Sequence, residues 1–169
     1  MKNIIIKTER FLLRPLVEDD VDDHYLSWIN GSNKSSYIDY SSQNRSIEEI
    51  RAYIHQRKDD DSVLFLGIFV RESGKHIGNI KYEPIDFVSK IATMGILIGE
   101  KKWRGKGVAT EVIKYSSIWL YNNYNLKKIV LGVNVRNKIA INAYKKVGFE
   151  ISSNVGDKEH LSMFLNIEC

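Results

Sequence analysis

Cysteine is nearly missing from this chain: the single one, Cys169, is the last of 169 residues. A disulfide framework and a cysteine-based zinc site are thereby excluded. Proline is scarce too, with only Pro15 and Pro84. There is no Pro-, Gly- or Ser-rich linker, no low-complexity stretch and no internal repeat. No apolar run approaches the ~20 residues of a membrane span. The start, Met1 to Ile6, lacks the long apolar segment and cleavage site of a signal peptide, so a cytoplasmic protein is expected. His24, His55, His76 and His160 stand at no metal-ligand spacing, and no metal is expected. An excess of one charge is also lacking, with 25 Lys plus Arg against 21 Asp plus Glu, a net charge of +4. The basic residues are spread rather than gathered into a stripe, so neither nucleic acid nor a membrane is an expected partner.

What is present suits one soluble domain spanning residues 1–169. Hydrophobic residues make up 43% and charged residues 27%, and this length buries an adequate core without staples. A first strand is expected over 4–13, stopped near Pro15. A helix over 18–28 follows, with Glu18, Asp19 and Asp20 at its start, where acids favour the helix dipole. Ser46 and Glu49 form a capping-box pattern opening a helix over 47–57. Strands are expected over 63–70, 77–82 and 91–98, the first two joined by a turn at 72–75. Val108, Val112, Tyr115 and Trp119 recur at helical spacing within 105–124. A strand over 128–135, a helix over 140–147 ended by Gly148, and a closing strand pair in 149–167 complete the chain. The fold class is α/β: a mixed central sheet with helices on its faces.

The segment Gly99 to Thr110 carries the chemistry. It leaves a buried strand and opens a helix whose first amides lack intrahelical partners. Such amides, with the helix dipole, suit a phosphate. Gly105 and Gly107 permit a tight turn, and Arg104 and Lys106 add positive charge. A nucleotide P-loop is excluded because Gly107, not Ser or Thr, follows Lys106, and the spaced glycines of a dinucleotide fingerprint are incomplete.

Arg104-x-x-Gly107-x-Ala109 resembles the acetyl-CoA pyrophosphate loop of the GNAT superfamily of N-acetyltransferases. Asn137-x-x-Ala140-x-x-x-Tyr144 followed by Lys146-Val147-Gly148-Phe149 resembles that family's second signature. Thr8-Glu9-Arg10-Phe11-Leu12-Leu13-Arg14-Pro15-Leu16 is similar to the opening of its RimJ/RimL-type branch. The resemblance covers nearly the whole chain. It implies a mostly antiparallel sheet in which one parallel strand pair, 91–98 and 128–135, splays to form the acetyl-CoA cleft. It also implies direct acetyl transfer from acetyl-CoA, the cosubstrate, to a primary amine.

By that resemblance, Leu97 and Ile98 contact pantetheine, with an oxyanion-site amide near Ile98. Arg104, Gly105, Lys106, Gly107, Val108, Ala109 and Thr110 hold the pyrophosphate. Tyr144 protonates the departing thiolate, and Asn137 binds the pantetheine end or a water. Read from the residues alone, Tyr144 is equally a core tyrosine on the inner face of a short helix, and Asn137 a helix cap. Cys169 lies outside every motif, so no cysteine nucleophile is expected. Glu83, Asp86 and Glu100 are base candidates, each also readable as a solvated carboxylate, and a water chain would do without a base.

The acceptor region implied is His24, Tyr25, Trp28, Asn30, Tyr37, Asp39 and Tyr40, with Trp28, Tyr37 and Glu83 as substrate contacts. The alternative for Tyr25 and Trp28 is simple packing of a helix on the sheet. The segments Tyr25 to Asn30 and Gly74 to Ile80 are similar to relatives that acetylate amino sugars, so a small-molecule amine, an amino sugar free or nucleotide-linked, is the expected acceptor. Alternatives are a protein N-terminus, a polyamine or an antibiotic. Outside enzymology the alternative is an acetyl-CoA sensor without turnover. Relatives are commonly dimeric, and the C-terminal strand is a candidate edge for homodimer pairing.

Overall fold

The apolar opening does not run as one strand. The computed structural model describes residues 4–31, 44–152 and 159–167, and it divides the expected strand into β1 (Ile6–Lys7) and β2 (Phe11–Pro15). They pair antiparallel, Ile6 opposite Leu13. Thr8 makes the turn: its amide donates to the Phe11 carbonyl at 2.9 Å and its Oγ1 accepts from the Phe11 amide at 2.9 Å. A local hydroxyl–backbone bond of this kind competes with strand continuation. Tyr37, Asp39, Tyr40 and Cys169 lie outside the described residues.

The acidic run likewise makes two elements rather than one helix. Glu18–Asp20 form a single 3-10 turn, and α1 covers Asp23–Asn30. Asp22 caps α1 by accepting from the Tyr25 amide at 2.8 Å. Asp20 is drawn away to Arg14, with two bonds of 2.7 Å. Helix α2 (Ile47–Arg57) starts at the expected capping box: the Glu49 amide donates to Ser46 Oγ and the Ser46 amide to Glu49 Oε2.

Strands β3 (Leu64–Val70), β4 (His76–Asp86) and β5 (Ile91–Ile98) form an antiparallel meander. Pro84 sits within β4 where the register with β5 shifts between Tyr82 and Ile85, a position at which the ladder asks no amide of it. A 3-10 turn (Lys101–Trp103) leads to α3 (Val108–Tyr124), then β6 (Lys128–Asn134), α4 (Lys138–Val147), β7 (Glu150–Ile151) and β8 (His160–Asn166). The sheet order is β1-β2-β3-β4-β5-β6-β8-β7. Among the described residues only β5 and β6 are parallel, as required of strands joined by a helical crossover. The C-terminal strand β8 is not an edge: it lies between β6 and β7, with Phe164 opposite both Val130 and Glu150.

Alternation along the strands sorts residues to two faces. One face, with Leu66, Tyr82, Met94, Ile129 and Leu131, packs on α3 and α4 through Val112, Ile113, Leu120 and Ile141. Tyr82 donates or accepts a 2.7 Å bond with Ser116 in this interior, which satisfies both hydroxyls. The other face meets α1 and α2 through a smaller cluster of Leu16, Val21, Tyr25, Ile50, Ile54 and Phe69.

Gly78, opposite Ile98 on β5, marks where this sheet tolerates no side chain. A Cβ there would overlap the Leu97 carbonyl oxygen, which is backbone and cannot swing aside. Gly78→Ala is therefore expected to destabilise the fold by about 1–3 kcal/mol, the usual cost of overpacking. A denaturant titration with an unchanged midpoint would refute the packing described.

Candidate active site

Strands β5 and β6 pair only at Ile91–Lys128, Ala92–Ile129 and Thr93–Val130. Beyond Thr93 they part, and a gap opens between 94–98 and 131–134. Backbone groups on adjacent strand residues point to opposite edges. The Gly99 amide donates to Ile77 of β4 at 3.0 Å, so Ile98 presents its N–H and C=O toward the gap, as does Ile96. This divides the expected pair: Leu97, opposite Asn79, turns its backbone to β4, and Ile98 alone of the two offers an amide across the gap. The Ile98 carbonyl accepts from Arg104 Nε at 2.9 Å, which leaves its amide as the available group.

The loop after β5 is shaped by backbone reversal. Gly105 and Gly107 have φ of 71° and 74°, the left-handed region that favours glycine. Gly107 is the N-cap of α3 and supplies no capping side chain, so the amides of Val108, Ala109 and Thr110 stay open to a ligand. A Cβ on Gly105 would meet nothing within 4 Å. Lys101, Lys102 and Lys106 are exposed around it. The Arg104 guanidinium folds back instead, donating to Ile98 and to the Gly99 carbonyl at 3.1 Å. It fixes the loop's shape while keeping its charge nearby. These features fit a diphosphate-bearing cosubstrate: uncapped helix amides, cations, and a strand edge for an amide-rich arm.

Asn137 and Tyr144 stand on α4, which follows β6 directly. Asn137 Oδ1 caps the helix by accepting from the Ala140 amide at 3.1 Å, leaving the Nδ2 donors for a ligand. Tyr144 is buried in the same core as Leu131 and Val133, its ring 5.7 Å from that of Phe149. The Tyr144 carbonyl accepts from the Gly148 and Phe149 amides, and Gly148 ends the helix at φ 112°.

On the α1/α2 face the gap has a floor without side chains. Gly95 and Gly132 each follow the paired Thr93 and Val130 by two residues, so both point to this face. A Cβ on either would meet nothing within 4 Å. Lys81, opposite Gly95, rises beside it and binds Tyr53 Oη at 2.5 Å and Glu83 at 2.6 Å. Arg57 pairs with Glu83 at 3.0 Å and lies 3.5 Å over the Tyr53 ring. Sequence reasoning missed this cluster, since α2 and β4 are brought together only by the fold. The isolated glycines within two strand patterns were the available signal for the floor.

The three carboxylate candidates are engaged rather than freely solvated. Burial raises the Glu83 carboxyl, but the bonds and charges of Lys81 and Arg57 outweigh it and hold it below the usual range. Glu100 is likewise raised by burial and lowered further by Lys75 and His24, which it binds at 3.0 and 2.5 Å. Asp86 is lowered by the Ser89 amide and hydroxyl and the Val88 amide in the β4–β5 turn. Trp28 packs among His24, Tyr25 and His76, beside Gly99, where a Cβ would strike its indole. Tyr25 is buried with its hydroxyl accepting from Asn79 at 3.1 Å, a packing role. Asn30 bonds both backbone groups of Arg45. A separate cavity of about 290 Å³, lined by Ile4, Arg14, Leu16, Ile54, Arg57 and Phe65 among others, touches none of β5, β6 or α3. Among the described residues no group of His, Cys, Asp and Glu could hold a metal, and no helix is long and apolar enough to cross a membrane.

A splayed parallel pair with a glycine-turned helix start at its mouth is an acetyl-CoA architecture, and the comparisons agree. The acetyltransferase (GNAT) domain model matches residues 10–150, and the chain belongs to that family. It is an acetyl-CoA-dependent N-acetyltransferase. An N-acetyltransferase 9-like protein of Caenorhabditis briggsae is 22% identical over 160 residues, 88% of this chain and 79% of that one. The structure of a spermidine N-acetyltransferase from Vibrio cholerae, in complex with CoA and spermine, superposes with a TM-score of 0.80 at 21% identity, covering 93% of this chain and 95% of that one. A ribosomal-protein-S5-alanine acetyltransferase from Vibrio fischeri gives 0.80 at 16% identity, covering 97% of each.

Carboxyls held below their usual range stay ionised at neutral pH and are weak bases there. Asp86→Asn and Glu100→Gln are thus expected to leave the acid limb of the kcat/KM profile in place. Thiol release followed from about pH 5.5 to 9 checks this, and a limb that disappears in either variant would make that carboxylate the base.

Proposed function

We propose that the chain acetylates the primary amine of a small anionic molecule, an amino sugar carried on a nucleotide being the form that suits the site. The observation that carries this reading is the wall beside the bare floor. Arg57 and Lys81 supply two positive charges there, against the single carboxylate of Glu83. A polycation such as a polyamine meets repulsion at that wall, whereas a phosphate or carboxylate gains a partner. The acidic run does not reverse this balance, since Asp20 serves Arg14 and Asp22 caps α1. The opening over Thr8 to Leu16 supports placement in the RimJ/RimL-type branch.

In this reading the Gly105 to Thr110 backbone, with Lys106 and Arg104, holds the diphosphate, while Ile98 and Leu97 flank the pantetheine. Acetyl-CoA supplies the acyl thioester. The neutral amine attacks its carbonyl carbon from the floor side, and the Ile98 amide donates to the oxygen as charge develops there. The new C–N bond forms, the C–S bond breaks, and the Tyr144 hydroxyl gives its proton to the sulfur. The excess amine proton leaves to water, and water returns a proton to the Tyr144 phenolate. Asn137 Nδ2 steadies the pantetheine end, and Trp28 and Glu83 border the acceptor. Tyr37, also expected there, is outside the described residues. No covalent enzyme intermediate is needed.

Tyr144→Phe is expected to lower kcat by about 10²-fold, the lower range for a lost general acid, with CoA affinity retained. An unchanged kcat would remove Tyr144 from the role. Lys81→Gln is expected to raise KM for the anionic acceptor about tenfold and to leave KM for acetyl-CoA alone. A panel of amino-sugar nucleotides, polyamines, aminoglycosides and N-terminal peptides tests the acceptor class by thiol release. Turnover confined to polyamines or peptides would overturn the anionic reading, and tight CoA binding with no turnover on any amine would favour a sensor.

A further inference from the structure

The segment Thr8 to Arg10 lies about a hundred residues before the cofactor loop, yet it holds that loop in shape. Glu111 sits in the first turn of α3. Its carboxylate accepts from Thr8 Oγ1 at 2.6 Å, from the Arg10 amide at 2.8 Å and from Arg10 Nε at 2.6 Å. The same guanidinium donates through its Nη1 to the Lys106 carbonyl at 3.0 Å. Arg10 therefore grips the residue before Gly107 and the helical turn after it. Its Nη2 is 3.7 Å from where a Cβ of Gly107 would lie.

This geometry resolves an electrostatic conflict. A carboxylate in the first turn of a helix is stabilised by the dipole, but here it shares that end with the amides meant for a phosphate. Glu111 stays ionised: burial raises its carboxyl, and the bonds from Thr8 and Arg10 outweigh that effect. An unneutralised Glu111 would repel the incoming anion. One guanidinium cancels the charge through its Nε and pins the turn through its Nη1, two directed bonds in a fixed fork that the point charge of an ammonium does not reproduce.

We infer that Arg10 is a positioning residue for acetyl-CoA. It fixes the Lys106–Gly107 turn and neutralises Glu111, so that the α3 amides receive the diphosphate. The inference rests on reading that loop as the phosphate site.

The test is CoA titration by calorimetry with acetyl-CoA kinetics, on the wild type, Arg10→Ala, Glu111→Gln and the double variant. Arg10→Ala is expected to weaken CoA about tenfold and raise KM for acetyl-CoA in step, with kcat at saturation within about twofold. The double variant is expected to recover most of that loss, because the uncompensated carboxylate is gone. Glu111→Gln alone should bind CoA at least as well as the wild type. A merely structural clamp gives the opposite pattern, with the double variant no better than Arg10→Ala. That result, or unaltered CoA binding in Arg10→Ala, overturns the inference. Should Arg10→Ala fail to fold, Glu111→Gln still decides, since a tenfold loss there refutes the charge conflict. A wild type that binds no CoA overturns the loop reading itself, and this proposal with it.

Discussion

Strand separation at a single rung governs this molecule. The parallel ladder between β5 and β6 ends at Thr93 and Val130, and beyond that rung each strand survives the separation because its other edge is paired. β5 is held by β4 through Met94 to Ile98, and β6 by β8 through seven consecutive register pairs. Unpaired strand edges buried without partners are costly. Here the inner edges open on a gap where Arg104 takes one carbonyl and the amide of Ile98 is left facing the space between the strands. The sheet thus remains continuous on both sides of the gap.

The start of α3 depends on that gap. The loop that leaves β5 must turn so that the helix amides look back at the mouth of the gap, and two left-handed glycines make the turn. Arg104 ties the loop to the strand it left, and Arg10 ties it to the β1–β2 turn. One tie is local and the other reaches across the chain. Together they set a short, glycine-rich segment in one conformation before any ligand arrives, so ordering it is not charged to binding.

Much of this was legible beforehand, for identifiable reasons. Helix α2 and strand β5 have the expected bounds because each has unambiguous local signals: a capping box in one, and a compact apolar run in the other. Thr8 was not readable as a strand breaker, since its turn depends on a hydroxyl rather than on Gly or Pro. The acidic run read as one helix because the dipole rule does not distinguish a first turn from an N-cap and a distant ion pair. Strand β8 read as an edge because chain order says nothing of sheet order, which here places the last strand inside the last but one. Local geometry was legible where backbone chemistry decides it, in the left-handed turns at Gly105 and Gly107 and the helix cap at Asn137. Geometry was illegible where distant side chains meet, as at Glu83 with Arg57 and Lys81, or Glu111 with Arg10. Alternation, applied once the register is known, keeps Ile98 on the gap side, adds Ile96 and turns the Leu97 backbone to β4.

The floor formed by Gly95 and Gly132 has a consequence for how such a protein can change. A surface of bare backbone offers substitution nothing to trim, and any replacement there can only add bulk. The trough's depth is consequently conserved by subtraction: the side chains are already gone. Its width and charge, by contrast, belong to Arg57 on α2 and to Lys81 and Glu83 on β4. On the proposed reading of the site, drift at those walls would redraw what the trough admits and leave the loop after β5 unaltered.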